Sequence, residues 1–349
     1  MSFRGAVLTR LGAPLEIIAD IKVPPLRPGQ VLVRISYAGL CRSQIMEVQG
    51  LRGKDPYIPH LLGHEGTGVV IATGENVNKV AVGDKVVLGW IRGSGQESGG
   101  TVYHSSIGAI NAGGVTTFNE LAVIAENRCV RLPDGIPMDV GVLLGCALPT
   151  GAGIVFNQLR PTSDSCVGIL GLGGIGLSAL MALKLCQPKM IVAIDSDPAK
   201  LELARDLGAT HMIIADQHTQ QNVRELTQGE GLDACIEAAG QSASIELGFS
   251  LVRRNGGVCI FASHPPAGDM IRIDPYELIS GKRIEGSWGG ASHPDEDIPR
   301  LADLFINHKL PWRRLLSHTY SLDDINQAID DLANSRIVRA LIQIAPADQ

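Results

Sequence analysis

Residues 166–195, CVGILGLGGIGLSALMALKLCQPKMIVAID, decide the fold of this chain. The first five residues are an apolar run that predicts a buried parallel strand, residues 177–185 have a helical pattern, and residues 190–194 form a second apolar run. A G-x-G-x-x-G turn precedes the helix, and an aspartate ends the second strand. This order is typical of a dinucleotide-binding site. The candidate cofactor-binding residues of the turn are Gly171, Gly173, Gly174, Ile175 and Gly176.

The glycines and the aspartate have distinct expected roles. Gly171 permits a tight turn, Gly173 lets the backbone approach a pyrophosphate, and Gly176 lets the helix pack closely on the strand. The helix N-terminus offers free N–H groups and a positive dipole end to the phosphates. Asp195, nineteen residues after the last glycine, can accept both adenosine ribose hydroxyls and would repel a 2′-phosphate, which favours NAD over NADP. A glycine turn alone also occurs between ordinary core elements, but here the strand, the helix and the acid accompany it.

Composition argues against several classes of protein. A chain of 349 residues is long enough for two domains with ample cores. Its net charge of −6 includes no basic tract, so no nucleic-acid partner is expected. The longest apolar runs have the length of a strand and the N-terminus has no signal-peptide core, so no membrane association is expected. The seven cysteines are odd in number and scattered, which argues against a secreted disulfide framework and predicts a cytoplasmic location.

The pattern of the chain changes near residue 147. Before it, short alternating runs with prolines predict β structure, and the Gly- and Ser-rich residues 89–116 predict a long surface loop or lobe. After it, strand and helix patterns alternate and predict a doubly wound parallel sheet. A final strand over 339–344 is expected to rejoin the N-terminal β structure. The predicted fold class is therefore α/β, with a β-rich domain of residues 1–147 and 291–349 and a dinucleotide-binding domain of residues 148–290.

Four residues beside glycines are candidate metal ligands: Cys41, His64, Glu65 and Cys146. Glycine neighbours let the backbone turn sharply and direct a side chain into a cleft. Two thiolates and an imidazole suit Zn²⁺ and leave one tetrahedral position open, as in catalytic zinc sites. The ligands are far apart in sequence, so two alternatives stay open at this point: a buried cysteine is often only a small apolar residue, and a histidine on an apolar face is often a core residue.

Taken together, the motifs resemble one family. They are GLCRS at 39–43, GHEGTG at 63–68, GDKVVLGW at 83–90, GCALPTGAG at 145–153, the glycine turn and Asp195. Their order and spacing resemble those of the zinc-dependent alcohol dehydrogenases of the medium-chain dehydrogenase/reductase (MDR) superfamily, over nearly the whole chain. The resemblance implies a GroES-like catalytic domain, a Rossmann domain, a catalytic zinc, NAD as cofactor, and an alcohol or carbonyl substrate. It also implies a homodimer or homotetramer.

The resemblance implies a role for each matching residue. Cys41, His64 and Cys146 would bind the catalytic zinc. Glu65 would stand behind the zinc and enter its coordination sphere during ligand exchange. The hydroxyl of Ser43 would accept the proton of the substrate while hydride passes to the nicotinamide. The other implied contacts are Arg42 and Arg339 with the cofactor pyrophosphate, Thr150 with the nicotinamide, Lys200 near the adenosine ribose, and Trp90 in the substrate pocket.

Three departures from the family pattern affect these expectations. Residues 85–128 contain no cysteine, so the structural zinc that these enzymes often carry is expected to be absent, and the lobe must be held in another way. Gln44 replaces an aspartate that commonly orients the ligand histidine; it can accept a hydrogen bond but brings no charge, so the zinc should be more electrophilic. Met46 replaces a histidine that often completes the proton relay, so the relay must end in water or another group. His60 is near in sequence, but a solvated surface histidine is the favoured interpretation.

Three other functions would each require a different set of residues. A polyol, cyclitol or sugar dehydrogenase on the same scaffold needs polar groups in the cleft, for which the Gly- and Ser-rich lobe is the only hint. A zinc-free reductase predicts loss of the three ligands together, and a non-catalytic nucleotide-binding protein predicts damage to the ligands or the glycine turn; all are intact. Trp90 suggests a narrow pocket and a slender substrate. Strand 258–262 and residues 283–287 are candidate surfaces for pairing with a second subunit.

Overall fold

The structure, a computed structural model, describes residues 1–345, and the chain divides into two compact units. Unit 1 contains Met1–Cys146 and the residues from His293 on, and unit 2 contains Ala147–Ser292. The strands are β1 (Ser2–Leu8), β2 (Glu16–Lys22), β3 (Gln30–Leu40), β4 (His60–Leu61), β5 (Gly66–Thr73), β6 (Lys85–Leu88), β7 (Thr101–Ser105), β8 (Gly108–Ala112), β9 (Leu121–Ala125), β10 (Cys129–Arg131), β11 (Cys166–Leu170), β12 (Met190–Asp195), β13 (His211–Ile214), β14 (Ala234–Glu237), β15 (Val258–Phe261), β16 (Arg283–Gly286), β17 (His318–Ser321) and β18 (Ala340–Gln343).

The helices connect these strands. They are α1 (Arg42–Val48), α2 (Met138–Gly141), α3 (Ala147–Gly153), α4 (Gly174–Cys186), α5 (Pro198–Leu207), α6 (Thr219–Leu226), α7 (Ser242–Leu251), α8 (Pro275–Ile279), α9 (Pro294–His308) and α10 (Ile325–Ala333). Shorter 3₁₀ or π turns cover Glu126–Arg128, Val142–Gly145, Ile154–Leu159, Gly289–Ala291 and Trp312–Leu315. No single helix in residues 1–345 is long and apolar enough to cross a membrane; one bent pair, 138–145 with 147–159, meets that test only in combination.

Unit 1 contains a barrel and a larger sheet. Strands β1, β2, β7, β8 and β4 close the barrel, and the larger sheet has the order β10-β6-β5-β3-β18-β17 with β9 paired to β3. The central strand is β3, whose alternate residues Val31, Val33 and Ile35 are fully buried in one hydrophobic cluster. Because β3 pairs with β5, β9 and β18, its C-terminal end is fixed where the first candidate metal ligand, Cys41, follows.

Unit 2 contains one parallel sheet with the order β13-β12-β11-β14-β15-β16. From β11 the chain proceeds outward to β12 and β13, and then resumes on the other side with β14. Ligands of such sheets bind at the carboxyl ends of the strands where the direction of winding reverses, here between β11 and β14. The apolar runs of residues 166–195 form β11 and β12, and α4 lies between them. The predicted combination of a GroES-like unit and a Rossmann unit is confirmed.

The structure corrects two local predictions and confirms a third. The segment 89–116 is not only a loop, because it contains the hairpin β7–β8, in which Tyr103 and Ile110 are fully buried. Strand β15 lies between β14 and β16, so it cannot pair with a second subunit, whereas β16 lies at the sheet edge. The last strand rejoins the N-terminal unit as predicted, since β18 pairs with β3 through Ala340 and Leu40.

Candidate metal centre and dinucleotide turn

Three of the four predicted ligands converge in unit 1. Cys41 directly follows β3 and caps α1, His64 precedes β5, and Cys146 follows the 3₁₀ turn Val142–Gly145. Their ligand atoms all lie within 4.8 Å of one another, and Nε2 of His64 is 3.3 Å from Sγ of Cys146. Three residues that are distant in sequence thus present two sulfurs and an imidazole nitrogen to one point. This is a donor set that Zn²⁺ prefers, and it leaves a position open for a further ligand.

The electrostatic environment favours thiolate at this point. A hydrogen bond from the Cys146 thiol, opposed by burial, holds the pKa of Cys41 well below its usual value, and His64 adds to this effect. The same hydrogen bond, together with burial, raises the pKa of Cys146 well above its usual value. A thiolate, a second thiol and an imidazole in one partly buried site fit a divalent cation, which would take up both sulfurs as thiolates.

Two side chains of α1 contact the ring of His64. The amide nitrogen of Gln44 lies 2.5 Å from Nδ1, and Oγ of Ser43 lies 3.3 Å from the same atom. The amide oxygen of Gln44 accepts the backbone N–H of Cys41 at 3.0 Å. The expectation that Gln44 accepts a hydrogen bond from the ligand histidine is wrong, because its oxygen is taken by the backbone N–H of Cys41 and its N–H group faces Nδ1. Nδ1 therefore accepts a hydrogen bond from Gln44 in the structure. A histidine that binds a metal through Nε2 carries its proton on Nδ1, so metal binding would require the amide of Gln44 to turn away and would leave the hydroxyl of Ser43 as the acceptor of that proton.

The fourth predicted ligand, Glu65, is bound to Arg339 instead of joining the other three. The guanidinium of Arg339 donates to Oε1 of Glu65, and both side chains are buried. Gly39 makes room for this carboxylate, because a Cβ there would lie 2.6 Å from Oε1. Burial raises the pKa of Glu65, an effect that the charge of Arg339 opposes. The two residues are 274 positions apart, and nothing in the sequence connects them.

The glycine turn of unit 2 has the geometry of an open phosphate-facing loop. Gly171 has φ +93°, and a Cβ there would lie 2.6 Å from the backbone nitrogen of Ala239, so only glycine fits. At Gly173 a Cβ would meet nothing within 4 Å, so this backbone is open to a ligand. The carboxylate of Asp195 accepts the N–H of Leu172 at 2.7 Å and is 8% exposed, so it lies beside the turn. These features fit a dinucleotide.

The remaining predicted site residues are placed as follows. Arg42 is exposed in the first turn of α1, Thr150 is buried in α3, Lys200 is half-buried in α5, and the half-buried Trp90 follows β6. Arg339, predicted to contact a pyrophosphate, has its guanidinium on Glu65.

His60 is not the solvated surface residue that was expected. It is 8% exposed, with Nε2 at 2.9 Å from Asp55 Oδ2 and Nδ1 at 2.9 Å from the carbonyl of Leu61. It lies in β4, which pairs with β1 and β8, and this pairing explains the burial, which the short strand did not reveal in the sequence.

Known proteins match both parts of the chain. The Zinc-binding dehydrogenase family model matches residues 174–307, and the Alcohol dehydrogenase GroES-like domain model matches residues 27–134. An S-(hydroxymethyl)glutathione dehydrogenase of Synechocystis sp. is 31% identical over 98% of this chain and 100% of its own length.

Solved structures agree with these matches. Benzyl alcohol dehydrogenase of Acinetobacter calcoaceticus has a TM-score of 0.86 and 29% identity, with 98% of this chain and 99% of that chain covered. An alcohol dehydrogenase zinc-binding domain protein of Burkholderia ambifaria has a TM-score of 0.88 and 29% identity, with coverages of 99% and 100%. Because the two family models together match more than half of the chain and a relative above 30% identity spans nearly all of it, this chain belongs to the zinc-dependent alcohol dehydrogenases of the MDR superfamily.

Proposed function

We propose that this oxidoreductase oxidises a slender alcohol to an aldehyde or ketone, and catalyses the reverse reaction, with NAD and a single zinc per chain. The observation that carries this proposal is the convergence of the ligand atoms of Cys41, His64 and Cys146 within 4.8 Å. When bound there, zinc would supply a Lewis acid for the alcohol or carbonyl oxygen of the substrate. Family membership supports NAD as the hydride acceptor.

The residues around the ligands have separate tasks. Ser43 lies beside His64 and would take the proton that the alcohol releases. Met46 is buried and has no group that carries a proton, so we place water after Ser43 in the relay. Glu65 stays paired with Arg339 until ligand exchange, when it would approach the metal.

In unit 2 the open backbone at Gly173 supports pyrophosphate binding, together with Gly171, Gly174, Ile175 and Gly176 of the same turn. Asp195 would accept the adenosine ribose hydroxyls, which favours NAD over NADP. We assign Lys200 to the adenosine ribose and Thr150 to the nicotinamide. Arg42 is exposed and available for the pyrophosphate. Arg339 would reach it only by sharing its guanidinium between Glu65 and the cofactor.

Trp90 would narrow the inner substrate pocket. The names of two relatives, a benzyl alcohol dehydrogenase and an S-(hydroxymethyl)glutathione dehydrogenase, show that similar chains act on alcohols of different size. A polyol, cyclitol or sugar substrate is the alternative. For the quaternary structure we propose a homodimer or homotetramer in the cytoplasm that pairs through β16, because this strand lies at a sheet edge.

The test is a measurement of zinc per chain on protein purified without added metal, with an NAD-linked assay over a panel of simple alcohols and polyols. We expect about one zinc per chain, with loss of zinc and activity in Cys41→Ser. Cys129→Ser is the matched control, since Cys129 is buried in β10, outside the ligand set. Purified protein that binds NAD but contains no zinc would overturn the proposal. Turnover of polyols but of no simple alcohol would instead support the polyol, cyclitol or sugar dehydrogenase.

A further inference from the structure

The 3₁₀ turn Glu126–Arg128 holds residues 89–97, which we call the Trp90 segment. Backbone carbonyls of the turn accept the N–H groups of Gly89 and Gly93 at 3.1 and 2.8 Å. Its buried carboxylate accepts the N–H of Gln96 at 2.8 Å. Because these hydrogen bonds occur at the beginning, middle and end of the Trp90 segment, the turn determines the path of the whole segment.

Glu126 connects this segment to a second loop. Its side chain is 3% exposed, and Oε1 accepts the N–H groups of Asn78 and Lys79 at 2.6 and 2.7 Å, while Oε2 accepts that of Gln96. Gly95 has φ +98°, and a Cβ there would lie 2.9 Å from Oε2 of Glu126, so the segment closes tightly around the carboxylate. A single buried carboxylate thus joins two stretches of backbone by charge-assisted hydrogen bonds.

Arg128 fixes the position of Trp90 itself. Its guanidinium donates to the carbonyl of Trp90 and lies 3.4 Å from Oε2 of Glu97, while its own carbonyl accepts the N–H of Gly89. Arg128 therefore holds the peptide group that follows Trp90 and the peptide group between Leu88 and Gly89, one residue before it. Since the backbone sets the direction of the Cα–Cβ bond, it also limits where the indole can lie.

A third set of contacts anchors the Trp90 segment to α9. Asp295, in the first turn of that helix, accepts the N–H of Ser94 at 2.5 Å and pairs with the ammonium of Lys79. The ammonium of Lys79 also donates to the carbonyl of Ser94 at 3.1 Å. The segment is thus held by hydrogen bonds and an ion pair, in a stretch of sequence (residues 85–128) that contains no cysteine.

We propose that Glu126 and Arg128 are positioning residues that set the size selectivity of the enzyme by fixing Trp90. This proposal rests on the proposed function, in which Trp90 narrows the substrate pocket. Neither residue is required to touch the substrate. They act through the backbone of the Trp90 segment, and the substrate class that they favour is a slender, unbranched alcohol.

The test compares Glu126→Gln and Arg128→Met with wild type and with Trp90→Ala, in the zinc- and NAD-loaded enzyme. Glutamine at 126 presents an N–H group to backbone donors, and methionine at 128 removes the bond to the Trp90 carbonyl. The matched control is Arg131→Met, because the mostly exposed Arg131 pairs with Asp84. Two quantities are measured: the ratio of kcat/KM for a straight-chain over a branched primary alcohol, and hydrogen exchange of the amides of residues 89–97.

We expect Glu126→Gln and Arg128→Met to lower the ratio by about tenfold, in the direction of Trp90→Ala, and to speed amide exchange, with no change in Arg131→Met. An unchanged ratio overturns the proposal, whether or not exchange is faster, because the turn would then not set selectivity. If Glu126→Gln does not fold, the kcat/KM ratio of Arg128→Met alone decides whether the proposal holds. Failure of the proposed function is distinguishable, because wild type itself would then oxidise no alcohol.

Discussion

The guanidinium of Arg339 and the carboxylate of Glu65 form a buried ion pair in unit 1. The pair joins the residue that follows His64 to the residue that precedes the last strand, β18. Burial tends to lower the pKa of Arg339, but the acidic charge of Glu65, followed by Cys41 and Cys146, raises it above the usual value. The cation therefore stays charged and also favours negative charge on the sulfurs of Cys41 and Cys146, the candidate zinc ligands.

Removal of one partner from this pair should be costly. Arg339→Met leaves Glu65 buried without its cation, and we expect the free energy of unfolding to fall by about 3–5 kcal/mol. The double variant Glu65→Met/Arg339→Met should regain much of this loss, since it leaves no charge unpaired. Urea denaturation measures the free energy of unfolding of the single and the double variant. Arg336→Met, which removes a surface pairing with Asp330 and Asp331, is the control and should cost much less. Equal losses in Arg339→Met and Arg336→Met would contradict the prediction.

Gln44→Glu should tighten zinc binding. Glutamate at this position keeps an acceptor for the Cys41 N–H, adds an acceptor for the Nδ1 proton of His64, and brings a negative charge near the metal. We expect the zinc affinity to rise by about tenfold or more, as measured by competition with a chelator. Gln49→Glu is the control, because it adds the same charge at the exposed C-terminal end of the same helix. A similar gain in zinc affinity in both variants would mean that the added negative charge is responsible, and not a hydrogen bond to His64.

Asp195→Asn should reduce the discrimination between the two nicotinamide cofactors. The variant keeps an acceptor near Leu172 but loses the charge that binds ribose hydroxyls and repels a 2′-phosphate. We expect the Kd of NADH to rise by about tenfold, while that of NADPH rises less or falls. Fluorescence titration of each reduced cofactor measures both constants. Asp164→Asn, at an exposed position of unit 2, controls for a general charge effect. An equal rise in the Kd of both cofactors would refute the role of Asp195 in telling them apart.

The contribution of Glu126 to stability should depend on pH. Burial, the largest influence, tends to raise the pKa of Glu126, but hydrogen bonds from Gln96, Asn78 and Lys79 outweigh it and lower the pKa below the usual 4.5. Stability from this group is therefore complete above pH 4.5 and is lost as the pH falls through the folded-state pKa. The difference in Tm between wild type and Glu126→Gln should shrink below that pH. Glu230→Gln, at an exposed position, is the control. A constant difference down to pH 3 would contradict the prediction.

Local patterns in the sequence were sufficient for the dinucleotide turn and for the parallel sheet around it. The glycine turn, the flanking strands and Asp195 lie within 30 residues, so their arrangement follows from strand and helix periodicity. Cys41, His64 and Cys146 are distant in sequence, and the resemblance to a family, not their spacing, predicted that they converge. The hairpin β7–β8 was hidden because Gly and Ser surround its short alternating runs.

Contacts between distant segments could not be predicted. The partner of Glu65 depends on how β18 pairs with β3, and the burial of His60 depends on closure of the barrel through β4. Likewise, Glu126 and Gln96 are joined by a turn and a loop whose paths carry no periodic signal. In each case the chemistry of the single residue was visible, but its partner was set by tertiary packing.

The discontinuity of unit 1 has a consequence for biosynthesis. Its first ten strands and all three metal ligands are made before unit 2, whereas β17, Arg339 and β18 are made after it. Domains generally fold as they emerge from the ribosome, so the nucleotide-binding unit is complete while β3 still lacks a neighbour and Glu65 lacks its cation. A nascent chain that stalls before residue 339 therefore carries a complete unit 2 and an incomplete unit 1. The enzyme becomes competent only after Arg339 and β18 have been translated.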